Sequence, residues 1–241
     1  MAASDKGATR LPGQHARQRG RAARRAVDIA LAAGFSLVMA TALVEDVAHE
    51  WIGIGVFLLV VTHQVLNRSW WRTLLRGRWS LRRVVSSAVD LCLVVEVLAM
   101  LASALVVSAH AFSWLPVIPG AGWARPAHLL GSYWGYVLVG LHTGFHVQPM
   151  FARAWRRGRC VRLALLACCA VVLLAGVWSF VTLDVGAYLT YSSPFVFVDF
   201  DTPFALRWVQ WLAVGALYAL AGSALWALMG GAAGRRRQSR A

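Results

Sequence analysis

VRLALLACCAVVLLAGVWSFVTL, residues 161–183, decides the fold. It holds a single charged residue, Arg162, in 23 positions. A run of about 20 predominantly apolar residues is long enough to cross a bilayer as a helix. Lipid cannot satisfy an open backbone, so such a run closes its own hydrogen bonds as a helix. Five more runs read the same way: 27–44, 49–66, 84–107, 128–147 and 204–229. The expected fold is an all-α integral membrane bundle of about six transmembrane helices.

Composition agrees with this reading. Of 241 residues, 59% are hydrophobic and 14% are charged, and the mean hydropathy is +0.59. A soluble domain carries roughly 25% charged residues, so this chain has too few to solvate a globular surface. The net charge is +14. Its basic residues stand in short blocks between apolar runs, which suits topology determinants and anionic lipid headgroups, and argues against a nucleic-acid partner. Cys92, Cys160, Cys168 and Cys169 form no CxxC pair and read as small apolar residues.

The loops set the orientation. Residues 1–26 carry Arg10, Arg17, Arg19, Arg21, Arg24 and Arg25 and read as a disordered basic tail. The segment after the first run has Glu45, Asp46 and Glu50. The next has Arg68, Arg72, Arg76, Arg78, Arg82 and Arg83. Arg125 stands alone after the third run, and Arg153, Arg156, Arg157, Arg159 and Arg162 follow the fourth. Asp184, Asp199 and Asp201 follow the fifth, with Arg207 at the far end of that segment, and Arg235, Arg236, Arg237 and Arg240 end the chain. By the positive-inside rule, both termini are expected on the cytoplasmic side of the cell membrane. Ala40-Thr41-Ala42 has the look of a signal-peptidase site, but the apolar stretch before it is long for a signal peptide. The segment Trp70–Arg76 mixes aromatic and basic residues, as an interfacial helix does. Residues 116–126 read as a turn-rich outer loop.

Five of the seven histidines fall in two runs. His49 and His63 lie 14 residues apart in the second, and His128 and His142 lie 14 apart in the fourth. Fourteen residues make nearly four helical turns, so each couple shares one helix face with about 21 Å of axial separation. The two runs cross in the same direction. His49 and His128 are therefore expected at an outer level, and His63 and His142 at an inner level. Two helices that present two imidazole pairs at two depths are what two b-type haems need, each with both axial positions filled. A saturated iron suits electron transfer rather than catalysis. A zinc site fits less well, because its ligands must converge on one point. His146, one turn past His142, is the alternative inner ligand.

His49-Glu50-Trp51-Ile52-Gly53 and His63-Gln64-Val65-Leu66-Asn67-Arg68-Ser69-Trp70 resemble the flavinylation-associated cytochrome family, a four-span bacterial membrane domain. So do Ser132-Tyr133-Trp134-Gly135 and Leu141-His142-Thr143-Gly144-Phe145-His146. The resemblance covers roughly residues 27–150. It implies a four-helix cytochrome b-like haem domain there, and passage of electrons across the membrane to a flavoprotein outside. His49, His63, His128, His142 and also His146 match the family's histidine pattern. Residues 151–230, two further spans, and the basic tail 231–241 lie beyond it.

Other polar groups stand inside the runs. Glu96 and Asp90 lie in the third, and a carboxylate at mid-membrane costs at least ~2.5 kcal/mol unless neutralised or paired. Glu96, the deeper, reads either as a proton relay or quinone-site base, or as a protonated carboxyl hydrogen-bonded to a neighbouring helix. Asp28, at the inner end of the first run, is expected to pair with a nearby arginine. Arg68, Arg72, Arg82 and Arg83 are placed to offset haem propionates or lipid phosphates. Gly131-Gly135 and Gly140-Gly144 have small-xxx-small spacing, for helix packing or for a porphyrin face. Tyr188–Tyr191 and residues 195–200 read as an outer aromatic loop.

The sequence therefore points to a diheme cytochrome b with two haem b groups. It would carry electrons from a quinol or inner donor to an extracytoplasmic acceptor, as an electron-transfer protein or redox-complex subunit with no catalytic residue of its own. Two other readings stand beside it. One is a non-haem scaffold or transporter subunit with structural histidines. The other is a quinol-linked oxidoreductase subunit with its quinone site near Glu96.

Overall fold

A computed structural model describes residues 12–42, 46–116, 118–195 and 199–238, and every regular element in it is a helix. The elements are α1 (Pro12–Thr41), α2 (Asp46–Leu66), α3 (Ser69–Thr73), α4 (Leu81–Val107), α5 (Ala121–Trp155), α6 (Arg159–Thr182), α7 (Val185–Leu189) and α8 (Phe204–Gln238). Glu45, residues 1–11, 196–198 and 239–241 lie outside the described residues.

Four helices are long and apolar enough to cross a membrane: Asp46–Leu66, Leu81–Val107, Arg159–Thr182 and Phe204–Gly230. They fit a membrane protein. Their outward faces carry Leu58, Val61 and Val65 on α2, Leu91, Val95 and Leu98 on α4, and Leu166, Leu173, Leu174, Val177 and Val181 on α6, all exposed. A chain surrounded by water does not leave apolar surface of that extent uncovered. The other two apolar runs lie in α1 and α5. Arg24, Arg25 and Asp28 stand in the last 18 residues of α1, and three histidines with several glycines and tyrosines dilute α5.

Two helix bounds differ from the sequence reading for a local reason. α1 reaches back to Pro12, through half of the segment expected to be disordered, since Ala, Arg and Gln are good helix formers and extend a helix already nucleated by its apolar part. α5 starts at Ala121, inside the expected outer loop, directly after Gly120 with φ of 138°. Only glycine takes that backbone without strain. α3 occupies the segment expected to be interfacial. The N-terminus of α4 is capped by Ser80, whose hydroxyl accepts from the Arg83 amide at 3.3 Å. Its far end is held by Glu50 of α2. That carboxylate accepts from the Ser108 hydroxyl (2.7 Å) and from the amides of Ala109 (2.8 Å), His110 and Ala111 (2.6 Å). An acidic residue read as a loop charge therefore joins two helix ends.

α8 is not an appendage to the four helices read as a haem domain. It packs against α5, α6 and α1, while α2 packs closely on α1 alone and α4 chiefly on α5. Close approach to α5 is allowed by Gly140 and Gly144. A Cβ at Gly140 would lie 2.2 Å from Tyr218 Cβ, and one at Gly144 would lie 2.2 Å from the Ala219 carbonyl oxygen. The small-residue spacing of α5 at these positions thus serves helix packing. An aromatic core seals the junction of α1, α5, α7 and α8. Tyr133 stacks on Tyr188 at 4.8 Å, and Trp211 meets both Tyr133 and Tyr136 edge-on. The Tyr136 hydroxyl donates to the Trp211 carbonyl at 2.7 Å and lies 2.7 Å from Ser36 Oγ. Tyr188, read from sequence as part of an outer aromatic loop, is 2% exposed. Helix α7 turns it inward, and Trp134 Nε1 anchors that helix by donating to the Leu189 carbonyl.

Candidate histidine site

α2 and α5 present their histidines to one another. The ring centroids of His49 and His128 are 6.3 Å apart, with planes crossed at 72°. Those of His63 and His142 are also 6.3 Å apart, with planes crossed at 74°. The order of the contacts makes the two helices parallel, with two levels separated by about 21 Å along the axis. The backbones of α2 and α5 do not pack closely, so the rings meet across a gap between the α1–α2 and α4–α5 pairs.

Each ring is held through Nδ1. His49 Nδ1 lies 3.1 Å from the Val38 carbonyl oxygen, and His128 Nδ1 lies 3.1 Å from Ser103 Oγ. His63 Nδ1 lies 2.9 Å from Asp28 Oδ1, and His142 Nδ1 lies 2.7 Å from Asp90 Oδ1. A carbonyl and a carboxylate only accept, so Nδ1 carries the proton at three of the four. Ser103 gives its own proton to the Met100 carbonyl at 3.0 Å, which leaves its oxygen to accept from His128. In a neutral imidazole the lone pair is then on Nε2. Among the described residues, no hydrogen bond occupies Nε2 of any of the four.

This donor set fits a bis-imidazole iron. Ring centroids 6.3 Å apart leave room between the two rings of each pair for one metal ion, whose bonds to imidazole nitrogens would be about 2.0 Å long. Metal-bound histidines donate their second N–H to a carboxylate, carbonyl or other acceptor, as all four rings do here. No group of three or more His, Cys, Asp or Glu side chains converges among the described residues. The site is two pairs, not a cluster.

Two of the holding residues were not read from the sequence as such. Asp28 was expected to pair with arginine; it accepts from His63 instead, because α1 packs on α2 at that depth. Asp90 reads from the sequence only as an ionisable group in a span. Depth could have found both. Asp28 and His63 lie near the same end of adjacent runs, as do Asp90 and His142. Ser103 and the Val38 carbonyl carried no such signal. His146 sits against His142, with centroids 4.6 Å apart, and is a neighbour of the inner pair.

Glu96 lies on α4 between Asp90 and Ser103, pressed into the hollow left by Gly131 and Gly135 of α5. A Cβ on Gly131 would meet its Oε1 at 2.7 Å. That oxygen is buried with no hydrogen-bond partner among the described residues. Gly131 and Gly135 therefore make room for Glu96, whereas Gly53 and Gly55 of α2 face open space. Arg82 and Arg83 are committed within the chain. Arg82 Nε donates to the Trp226 carbonyl, with its guanidinium over that ring, and Arg83 Nη2 donates to the carbonyls of Thr73 and Leu74. Comparison with family models, with curated proteins and with solved structures finds no match for this chain.

Proposed function

We propose that the chain is a membrane diheme cytochrome b that carries electrons between the two faces of the cell membrane. The observation that carries this reading is the pair of matched imidazole couples, His49–His128 and His63–His142, each with ring centroids 6.3 Å apart and with every Nδ1 engaged. His49 and His128 would hold one haem b and His63 and His142 the other. Haem b supplies reversible one-electron chemistry when bound. The chain's own part is to fix the ring tautomers through Val38, Ser103, Asp28 and Asp90, so that two imidazoles would be offered to each haem. In this reading α1 and α5 also cross the bilayer, which gives six spans, and the basic segments lie in the cytoplasm. The His49–His128 level then faces outward. The acceptor would be an extracytoplasmic flavoprotein or similar partner, as the resemblance to flavinylation-associated cytochromes implies, and the donor a quinol or an inner reductant.

The test is a reduced-minus-oxidised visible spectrum of the purified protein with haem counted per chain. The expected result is a b-type spectrum and two haems. A colourless protein would favour a scaffold or transporter subunit with structural histidines.

The unpartnered oxygen of Glu96 favours one addition, a quinone or proton site at mid-depth between the two levels. Gln fills the same space, so Glu96→Gln is expected to keep both haems and to slow quinol-driven reduction by about a hundredfold, the low end of the range ascribed to acid–base groups. Stopped-flow reduction at the wild-type rate would remove Glu96 from any quinol step.

A further inference from the structure

The two histidine levels differ in what holds them. At the lower level both rings donate to carboxylates, His63 to Asp28 and His142 to Asp90. At the upper level both rings meet neutral oxygens, the Val38 carbonyl and the Ser103 hydroxyl. Resting on the haem reading above, we infer that the four groups that accept the Nδ1 protons set unequal reduction potentials, with the His63–His142 level the more reducing, so that electrons run downhill from that level to His49–His128.

The sign follows from charge. A carboxylate that accepts the Nδ1 proton makes the ring a stronger donor through Nε2. Stronger donation and a fixed negative charge nearby both favour the ferric over the ferrous state, and hydrogen bonding to the ligating ring is one of the levers a protein has on iron potential. Both rings of the lower level donate directly to a carboxylate and neither ring of the upper level does; Asp46 and Glu50 act on His49 only through space, without a hydrogen bond to its ring. One electron lost at the lower level is the one gained at the upper; no bond is made or broken and no proton is required. Under the orientation proposed above, the gradient points out of the cell. Asp90 and Asp28 are positioning residues, and they are not equal. The Asp90 contact is shorter, 2.7 against 2.9 Å, and its side chain is 17% exposed against 53% for Asp28. Solvent screens the exposed charge more, so Asp90 has the larger effect.

The experiment is a reductive titration of the purified full-length protein, followed by visible absorbance. Wild type is expected to give two one-electron waves. Asp90→Asn should shift the low-potential wave upward by at least tenfold in its reduction equilibrium, about 59 mV for one electron, and leave the high wave in place. Asp28→Asn should shift the same wave by less. His63→Ala should abolish the low wave and His128→Ala the high one, which assigns the levels even where an aspartate variant is poorly produced. Two haems with unmoved potentials in Asp90→Asn, or loss of the high wave in His63→Ala, overturns the inference and leaves the haem reading standing. A colourless wild-type protein overturns the haem reading and takes the inference with it.

Discussion

Alanine at His63 is expected to lower the haem content of the purified protein from two per chain to one, and alanine at His142 is expected to remove the same haem. The two rings face one another at 6.3 Å, so each would supply one of the two axial bonds to a single iron. With either ring gone, only one imidazole would remain to hold the group, and purification would strip it. The double variant His63→Ala/His142→Ala should therefore be no worse than either single one, the non-additive signature of residues that act as a unit. His49→Ala and His128→Ala should remove the other haem, and a variant from each couple combined should leave none. Haem per chain, measured by pyridine haemochrome absorbance against protein concentration, reads all of this directly. His146→Ala separates the two inner candidates. It should retain both haems, because His142, not His146, mirrors the His128 position fourteen residues earlier and stands opposite His63. Loss of haem in His146→Ala together with retention in His142→Ala would transfer the ligand role to His146.

Leucine at Gly144 is expected to collapse the protein's stability, with detergent-solubilised material that melts at a much lower temperature or fails to accumulate. The added Cβ would meet the Ala219 carbonyl oxygen at 2.2 Å, the Ser223 amide nitrogen at 2.7 Å and Gly222 Cα at 2.9 Å. All three are backbone atoms of α8, so no rotamer change relieves the clash, and the helices must separate. Overpacking alone costs about 1–3 kcal/mol. Separation here adds the loss of the Ser223 Oγ hydrogen bond to the Gly144 carbonyl at 3.0 Å and disturbs the packing of α8 between α1 and α5. The control is Gly53→Ala on α2, where nothing lies within 4 Å of the added carbon; it should melt as wild type does. Equal melting of Gly144→Leu and wild type, followed by fluorescence size exclusion across a temperature series, would refute the α5–α8 packing described above.

Much of this protein was legible before any coordinates. Helix is compulsory for a 23-residue apolar run in lipid, and the alternation of arginine-rich and acidic segments follows from a rule about loops, not contacts. The equal spacing of His49–His63 and His128–His142 was legible too, because 3.6 residues per turn and 1.5 Å per residue are properties of a single helix. Each of these rests on local geometry or on the solvent, and none depends on which helix lies beside which.

Neighbourhood was the part the tertiary structure decided. Asp28 could have met an arginine; that it meets His63 depends on α1 lying along α2. Ser103 and the Val38 carbonyl hold the other rings for the same kind of reason, and no residue pattern announces a backbone oxygen as a partner. Gly140 and Gly144 read equally well as helix packing or as a porphyrin face until α8 was found against them, and Tyr188 read as a loop aromatic until α7 folded it onto Tyr133. A sequence carries the periodicity of one helix at full strength, but it encodes the approach of two helices only through the sum of many weak side-chain contacts, and that sum can be read only once the helices are in place.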